Sequence, residues 1–386
     1  MAQHRPFMFT RHLYARDEVE TLLLTVLLKR EDMCEAYFWA YELHYSGFDL
    51  FSVIWRIYYD VYFELNPRLE KYLSKKSTLW EKRRDPDVFA YCIKNLFLAA
   101  PSSKVFVLRQ SALANGYGGT KTTTARAYKG RPPKWCAKHP SKYHSWLRAV
   151  SKRDYPNIAY HTYSLVKNER ANPDDMFAVL SAYFADTFEV DPDVDAYWKA
   201  RKYDDDAHYL LSIIVHLLGD VARLPDPKAT MAPQKIHLEM FRVFGRDDLE
   251  GCPPYRILNE RRLYEICPTI GGFCLARRND EIRALGEVYQ ANSVWERFVF
   301  DTPYWVWRFD TVGASYDADR KRVVFPSDDA CEDFYDRYGC EPDEQSRAVR
   351  DRSLGPISNG DWKSWYDSVF VEPCLIEFDA EYRFIS

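Results

Sequence analysis

The chain has 386 residues, of which 47% are hydrophobic and 28% charged, and its formal net charge is −4. These values indicate a globular protein that buries its own core, in about two or three domains. Apolar stretches such as residues 22–28 are far shorter than the roughly 20 residues that span a bilayer, which excludes a membrane-spanning helix. Nine scattered cysteines without a Cys-x-x-Cys pair, and an N-terminus without an apolar signal segment, predict a soluble protein with free thiols in a reducing compartment.

Residues 17–100 predict five helices joined by short turns, so that successive helices pack as antiparallel neighbours. Each predicted start or end carries a residue type that favours a helix boundary. These boundary residues are Asp17, Asp32, Gly47, Pro67 and Pro86. Aromatic side chains recur on the predicted helices, as expected from an aromatic content of 16%. Most of these rings are expected to lie in the core, and some are expected to face a partner.

Residues 113–140 interrupt the helical pattern and predict a basic linker or loop rich in Gly, Thr and Pro. Helical periodicity resumes at Ser141 and starts again at Asn172-Pro173. A very apolar helix over Tyr209–Leu218 is predicted to be buried on all sides. This order predicts stacked helical hairpins, with a HEAT-like solenoid left open because no exact repeat period occurs.

The C-terminal part predicts mixed structure. Gly271-Gly272 weakens the helical pattern there, residues 322–326 predict a short strand, and Asp328-Asp329 begins a helix. The predicted fold is therefore mainly α, a helical bundle or stacked helical hairpins with a small mixed α+β C-terminal part. The predicted domains are a helical domain (1–112), the linker or loop (113–140), a helical-hairpin domain (141–250) and an aromatic-rich domain (251–386) with an acidic run at 328–344.

Positive charge is concentrated in the middle of the chain. Positions 88–153 contain thirteen Lys and Arg residues and no Asp or Glu. Aromatic rings alternate with these cations at Tyr117, Tyr128, Trp135, Tyr143 and Trp146. Cations with stackable rings bind phosphate backbones and single strands. Three interpretations stay open: nucleic acid, an acidic protein surface (including the acidic run 328–344 of the same chain or of another copy), and plain solvation.

Partner binding is predicted at cations of this segment and at four tryptophans, because Trp, Tyr and Arg are the most frequent anchors of protein interfaces. Within the segment the candidates are Lys121, Arg126, Lys129, Arg131, Lys134, Trp135, Lys138, Lys142 and Trp146. Two further candidates, Trp305 and Trp307, lie in a C-terminal stretch dense in aromatic residues.

Catalytic and cofactor motifs give little support for an enzyme. Residues 116–122 resemble a phosphate-binding loop but have Thr120 where that loop needs a glycine before Lys121. Cys136, His139 and His144 are spaced like one half of a zinc site, but no pair of cysteines lies at the distance that would complete it. We therefore expect neither a cofactor nor a metal, and no catalysis, with an enzyme of unusual site as a third interpretation.

Three stretches carry a family resemblance: residues 29–48 (KREDMCEAYFWAYELHYSGF), 262–273 (RLYEICPTIGGF) and 334–345 (FYDRYGCEPDEQ). They resemble an uncharacterised protein family of giant viruses, the large nucleocytoplasmic DNA viruses. The first stretch is the most specific of the three. The resemblance implies a viral protein made in the cytoplasm or virus factory of an infected cell, with packaging into the virion left open. It carries over no catalytic residue and no mechanism.

The predicted function is that of a non-enzymatic helical scaffold or adaptor of a large DNA virus, which acts through contacts with other viral or host proteins and not with a membrane. The alternative is a nucleic-acid-binding accessory factor of viral replication, transcription or translation that uses the basic segment 104–153. RNA and DNA are both open for this alternative. Self-association between segment 104–153 and the acidic run 328–344 is a further possibility.

Overall fold

A computed structural model describes residues 8–12, 14–114, 133–187, 194–219, 269–270, 273–274, 295–338 and 362–376. Within these ranges the chain is mainly α-helical, as predicted, with two short antiparallel sheets of two strands each. None of the described helices has the length and the apolar character needed to cross a membrane.

Helices form most of the first part of the chain, and two short 3₁₀ helices and one π-helical turn interrupt the series. In chain order these elements are α1 (Arg16–Lys29), α2 (Met33–Tyr45), α3 (Leu50–Val61), α4 (Leu69–Arg83), α5 (Asp87–Leu98), α6 (Lys104–Ala114), the 3₁₀ helices Cys136–Lys138 and Ser141–Tyr143, α7 (His144–Ser151), α8 (Tyr155–Tyr163), the π-helix Ser164–Asn168, α9 (Pro173–Thr187), α10 (Val194–Ala200) and α11 (Asp206–Leu218).

The C-terminal part contains both helices and strands, as predicted. Its elements are β1 (Thr269–Ile270), β2 (Phe273–Cys274), α12 (Trp295–Val299), α13 (Pro303–Thr311), β3 (Ser315–Asp317), β4 (Arg322–Val324), α14 (Asp328–Tyr338) and α15 (Trp362–Val369). β1 pairs with β2, and β3 pairs with β4 in the register that places Tyr316 opposite Val323.

Local sequence signals explain several helix boundaries. Asp32 lies at the predicted start of α2 and caps it by accepting a hydrogen bond from the backbone N–H of Cys34 over 2.8 Å. Gly47 follows α2 with a φ of +85°, a left-handed conformation that glycine adopts without steric cost. A Cβ atom at Gly47 would lie 2.5 Å from the Cβ of Pro303. The backbone conformation and the close approach therefore both require glycine.

The described residues divide into two compact units, and each unit combines segments that are distant in sequence. The first contains the residues up to Leu50, the segment Asp85–Phe97 and the described residues between 269 and 369. In it α1 packs against α2 and α15, and the Trp365 Nε1–H donates to Thr25 Oγ1 over 3.1 Å. The predicted domains were consecutive stretches, and the first of them (1–112) is divided between the two units.

The second unit contains Phe51–Arg84, the described residues between 98 and 219, and residues 370–376. Its centre is α11, which is buried along almost its whole length, as predicted. α11 contacts α6, α8 and α9. Contacts with a helix so far away in sequence are those of a bundle, whereas each repeat of a solenoid contacts only its neighbours. Apolar periodicity predicts which face of a helix is buried but not which helix covers it, which is why the predicted domains differ from the observed units.

Candidate nucleic-acid interface

Five exposed cations flank α7, three on the segment that precedes it and two directly after its last residue. We call this set the basic surface, and its members are Lys134, Lys138, Lys142, Lys152 and Arg153. All five belong to the second compact unit. Lys152 and Arg153 belong to the predicted basic segment 104–153 but are not among the individually predicted partner-binding residues.

The segment before α7 is held against that helix by polar contacts. The His144 Nε2 atom lies 2.8 Å from the backbone oxygen of His139. The Cys136 thiol donates to the backbone oxygen of His144 over 3.7 Å. On the inner side of α7, Leu147 and Val150 are fully buried. These contacts hold the 3₁₀ helices in place, so the lysines project from an ordered backbone.

Three of the cations of the basic surface stand apart from carboxylates in the described part of the chain, which favours a positive potential there. Among the residues that the structure describes, no carboxylate oxygen lies within 4.0 Å of the side-chain nitrogens of Lys134, Lys138 or Arg153. The Lys142 ammonium lies 4.9 Å from the centre of the Tyr143 ring. The first turn of α7 contains no acidic residue, so the positive end of its helix dipole adds to the potential of the lysines.

Lys104 and Arg109, at the start of the predicted segment 104–153, do not belong to this surface. Lys104 Nζ lies 2.6 Å from a carboxylate oxygen of Glu64. Arg109 is buried and forms an ion pair with Asp60 over 2.6 Å. Both acids lie before position 88, outside the acid-free stretch. These two cations have counter-charges within the same unit, so they add little to the positive potential of the basic surface, and the predicted segment 104–153 contributes through its later cations.

The four predicted tryptophan anchors lie in different surroundings. Trp146 is fully buried, and its Nε1–H donates to Thr162 Oγ1 over 2.9 Å. Trp305 is 2% exposed and packs against the ring of Phe334. Because a partner cannot reach either ring in this fold, burial argues against Trp146 and Trp305 as contact residues, and large apolar burial explains both of them.

Trp135 and Trp307 are more accessible. Trp135 is half-buried, with its ring centre 5.0 Å from that of Tyr183. Trp307 is 48% exposed, and its ring lies 4.4 Å from the guanidinium carbon of Arg308. The remaining predicted contact residues fall outside the described ranges. They are Lys121, Arg126, Lys129 and Arg131.

A cluster of buried charged and polar groups elsewhere in the second unit has some features of a catalytic site. The Tyr203 hydroxyl lies 2.8 Å from His208 Nδ1. His208 Nε2 lies 3.1 Å from Asp60 Oδ1, although the two atoms are not aligned for a hydrogen bond. Burial alone would raise the pKa of Asp60, but the charges of Arg109 and His208 outweigh it and hold that pKa well below its ordinary value. All four side chains are buried, so we interpret the cluster as structural.

The zinc-like spacing of Cys136, His139 and His144 is explained by backbone contacts. The His144 ring and the Cys136 thiol are each directed at a backbone oxygen, as described above. Burial raises the pKa of the Cys136 thiol, an effect that Arg148 partly opposes. Within the described ranges, no group of three or more His, Cys, Asp or Glu side chains is placed to hold a metal ion.

Comparison with known proteins found no matching family model, no matching curated protein and no matching solved structure. The resemblance to a giant-virus family therefore stays a prediction.

Proposed function

We propose that the chain binds nucleic acid through the basic surface. The observation that supports this most directly is the exposure of Lys134, Lys138 and Arg153 without a carboxylate neighbour in the described part of the chain. Lysines that serve only solubility are usually interspersed with acids. Here the sequence contains no acid from position 88 to position 153. A phosphate backbone is the partner that such a surface fits best.

Nucleic-acid binding, the alternative function predicted from the sequence, thereby takes precedence over the scaffold function. The scaffold function depended on tryptophan anchors, and two of the four are buried. The nucleic-acid function depended on accessible cations, and all three described lysines among its predicted contact residues are exposed. A non-enzymatic accessory factor is the corresponding role, and its place in viral replication, transcription or translation follows only from the family resemblance.

The first prediction concerns the triple variant Lys134→Gln, Lys138→Gln, Lys142→Gln. Because bound cations displace counterions, the slope of log affinity against log salt should become shallower by about 2 to 3 for a DNA duplex. Fluorescence anisotropy with a labelled 24-base-pair duplex between 50 and 300 mM salt measures this slope.

A charge-matched control variant replaces three exposed cations far from α7 in sequence: Lys199→Gln, Lys321→Gln, Arg322→Gln. It removes the same total charge and should leave the slope nearly unchanged. Equal effects of the two triple variants would show that only net charge matters. Absence of binding by the unmodified protein at 50 mM salt would refute the proposal.

Protein binding through α13 is a second candidate function, which the exposure of Trp307 favours. Val306 and Trp307 are adjacent and are 40% and 48% exposed. The guanidinium carbon of Arg308 lies 3.5 Å from the ring centre of Tyr304 and 4.4 Å from that of Trp307. A large ring that is already held in place offers apolar surface to a partner and loses little side-chain entropy on binding, which is typical of an interface anchor.

The second prediction is that Trp307→Ala weakens binding of a protein partner by at least about 2 kcal/mol, the usual contribution of an anchor residue. The tagged chain is purified from the cells that express it, and the proteins that co-purify are quantified by mass spectrometry. The control variant is Tyr316→Ala, which removes a ring that is 38% exposed. The same set of bound proteins with both variants would exclude Trp307 as an anchor.

A further inference from the structure

A second set of exposed cations lies on α4, outside the acid-free stretch of sequence. Lys71, Lys75 and Lys82 are separated by four and seven residues and are all exposed. At 100° per residue these positions fall on one face of the helix. The opposite face is buried at Leu69, Glu70, Leu73 and Ser77. We call the three lysines the α4 stripe.

The negative charges of α4 do not neutralise this stripe. Both carboxylate oxygens of Glu81 accept from Nζ of Lys202, which lies between α10 and α11, over 3.1 Å. Glu70 is 4% exposed, and burial raises its pKa to about 8, against the opposing effect of a hydrogen bond from Tyr209. Glu70 is therefore mostly uncharged at neutral pH. Among the described residues, no carboxylate oxygen lies within 4.0 Å of any stripe lysine.

Helix stability does not account for the positions of these lysines. Lys71 lies in the first turn of α4, at the positive end of the helix dipole, where a cation is unfavourable. Lys71 and Lys75 are four residues apart, and like charges at this spacing repel each other. Lys82 lies in the last turn, where a cation is favourable. Lys71 and Lys75 thus destabilise the helix that carries them. Binding of an anionic partner would offset this electrostatic cost.

We infer that the α4 stripe binds the phosphate backbone of double-stranded nucleic acid, an inference that rests on the proposed function and extends it to a second surface. Lys71 and Lys82 are eleven residue steps apart, or about 16 Å along the helix axis. Duplex DNA carries one charge per roughly 1.7 Å of its axis, so about ten phosphates lie along that length. A duplex is also rigid, and a straight row of cations contacts it without an ordering cost to the strand.

The surroundings of the basic surface favour a duplex over a single strand. Single strands gain much of their affinity by stacking bases on accessible aromatic rings. In the described part of the cation-rich segment, Tyr143 and Trp146 are buried, and Trp135 packs on Tyr183. Affinity should therefore come mainly from phosphate contacts, which are denser along a duplex.

The third prediction concerns the triple variant Lys71→Gln, Lys75→Gln, Lys82→Gln, which should bind a 24-base-pair DNA duplex about 10-fold more weakly at 100 mM salt and with a salt slope shallower by about 2 to 3. The unmodified protein should bind this duplex more tightly than the single strand of the same sequence. Anisotropy measures both affinities, and circular dichroism checks that the variant keeps its helix content.

The outcomes separate this inference from the proposed function. If the α4 variant binds like the charge-matched control while the variant at Lys134, Lys138 and Lys142 loses affinity, the stripe is not a binding surface and the proposed function stands. If only the α4 variant loses affinity, the stripe is a binding surface and the basic surface is not. Tighter binding to the single strand, or equally strong competition by poly-glutamate, would overturn the assignment of a duplex partner.

Discussion

Replacing Arg109 with methionine is expected to lower the free energy of unfolding by about 3–5 kcal/mol, because the Asp60 carboxylate would stay buried without its main counter-charge. Arg109 Nε and Nη2 donate to the two carboxylate oxygens of Asp60 over 2.7 and 2.6 Å. The two side chains are only 6% and 1% exposed. Water therefore cannot replace the lost cation, and His208 alone does not satisfy both oxygens. Urea unfolding followed by circular dichroism measures the loss.

An exposed ion pair of the same unit provides the control. Lys202 binds Glu81 over 3.1 Å, with side chains 28% and 52% exposed, and Lys202→Met should change stability by less than about 1 kcal/mol. The double variant Asp60→Asn, Arg109→Met should recover part of the loss, because no unpaired carboxylate remains buried. Losses of similar size for Arg109→Met and Lys202→Met would mean that the buried pair contributes no more than a surface pair.

Helix positions were largely predictable from the sequence, because capping residues and apolar periodicity act locally. Asp32 and Gly47 mark the start and end of α2 as expected. α6 was not predicted as a separate helix, and its partners α8 and α11 lie far along the chain. Their contacts depend on how complementary apolar faces meet, which no local pattern specifies. For that reason the helices were more predictable than the two compact units.

The basic surface was predictable only in part, since counting charges along the chain cannot show where their counter-charges lie. Lys104 and Arg109 belong to the acid-free stretch, yet their partners Glu64 and Asp60 precede them by 40 and 49 residues. The lysines of the α4 stripe show the opposite case, in which acids are near in sequence but do not pair with the cations in the fold. Glu70 and Glu81 balance it in sequence, but in the fold one of these acids is buried and the other binds Lys202.

Trp146 and Trp305 were predicted as interface anchors because composition alone does not distinguish a ring of the core from one that contacts a partner. Both are among the largest fully buried side chains of the described residues. The helical periodicity of the sequence places Trp146 on the same face as Leu147 and Val150, and that face is the buried one, so periodicity predicts its position better than composition does. Trp307 lies two positions after Trp305 on α13 and is therefore turned away from the core.

Replacing Glu70 with glutamine is expected to stabilise the protein relative to the unmodified chain by roughly 4–5 kcal/mol more at pH 9 than at pH 4. Burial raises the pKa of Glu70 from 4.5 to about 8 in the folded protein, although the Tyr209 hydroxyl donates to one of its oxygens over 2.9 Å. The folded state therefore favours the protonated acid. The contribution of protonated Glu70 to the free energy of unfolding is complete below about pH 4.5 and is lost as the pH rises through about 8.

The difference in unfolding free energy between the Glu70→Gln variant and the unmodified chain isolates this one group, because other titrating side chains contribute equally to both proteins. Glu81→Gln is the matched control: it makes the same substitution on the same helix at an exposed site, and its difference should stay within about 1 kcal/mol across the pH range. A flat difference for Glu70→Gln as well would mean that Glu70 is ionised in the fold. The inner face of α4 would then carry a negative charge that partly cancels the lysine stripe, and duplex binding through α4 would become correspondingly weaker.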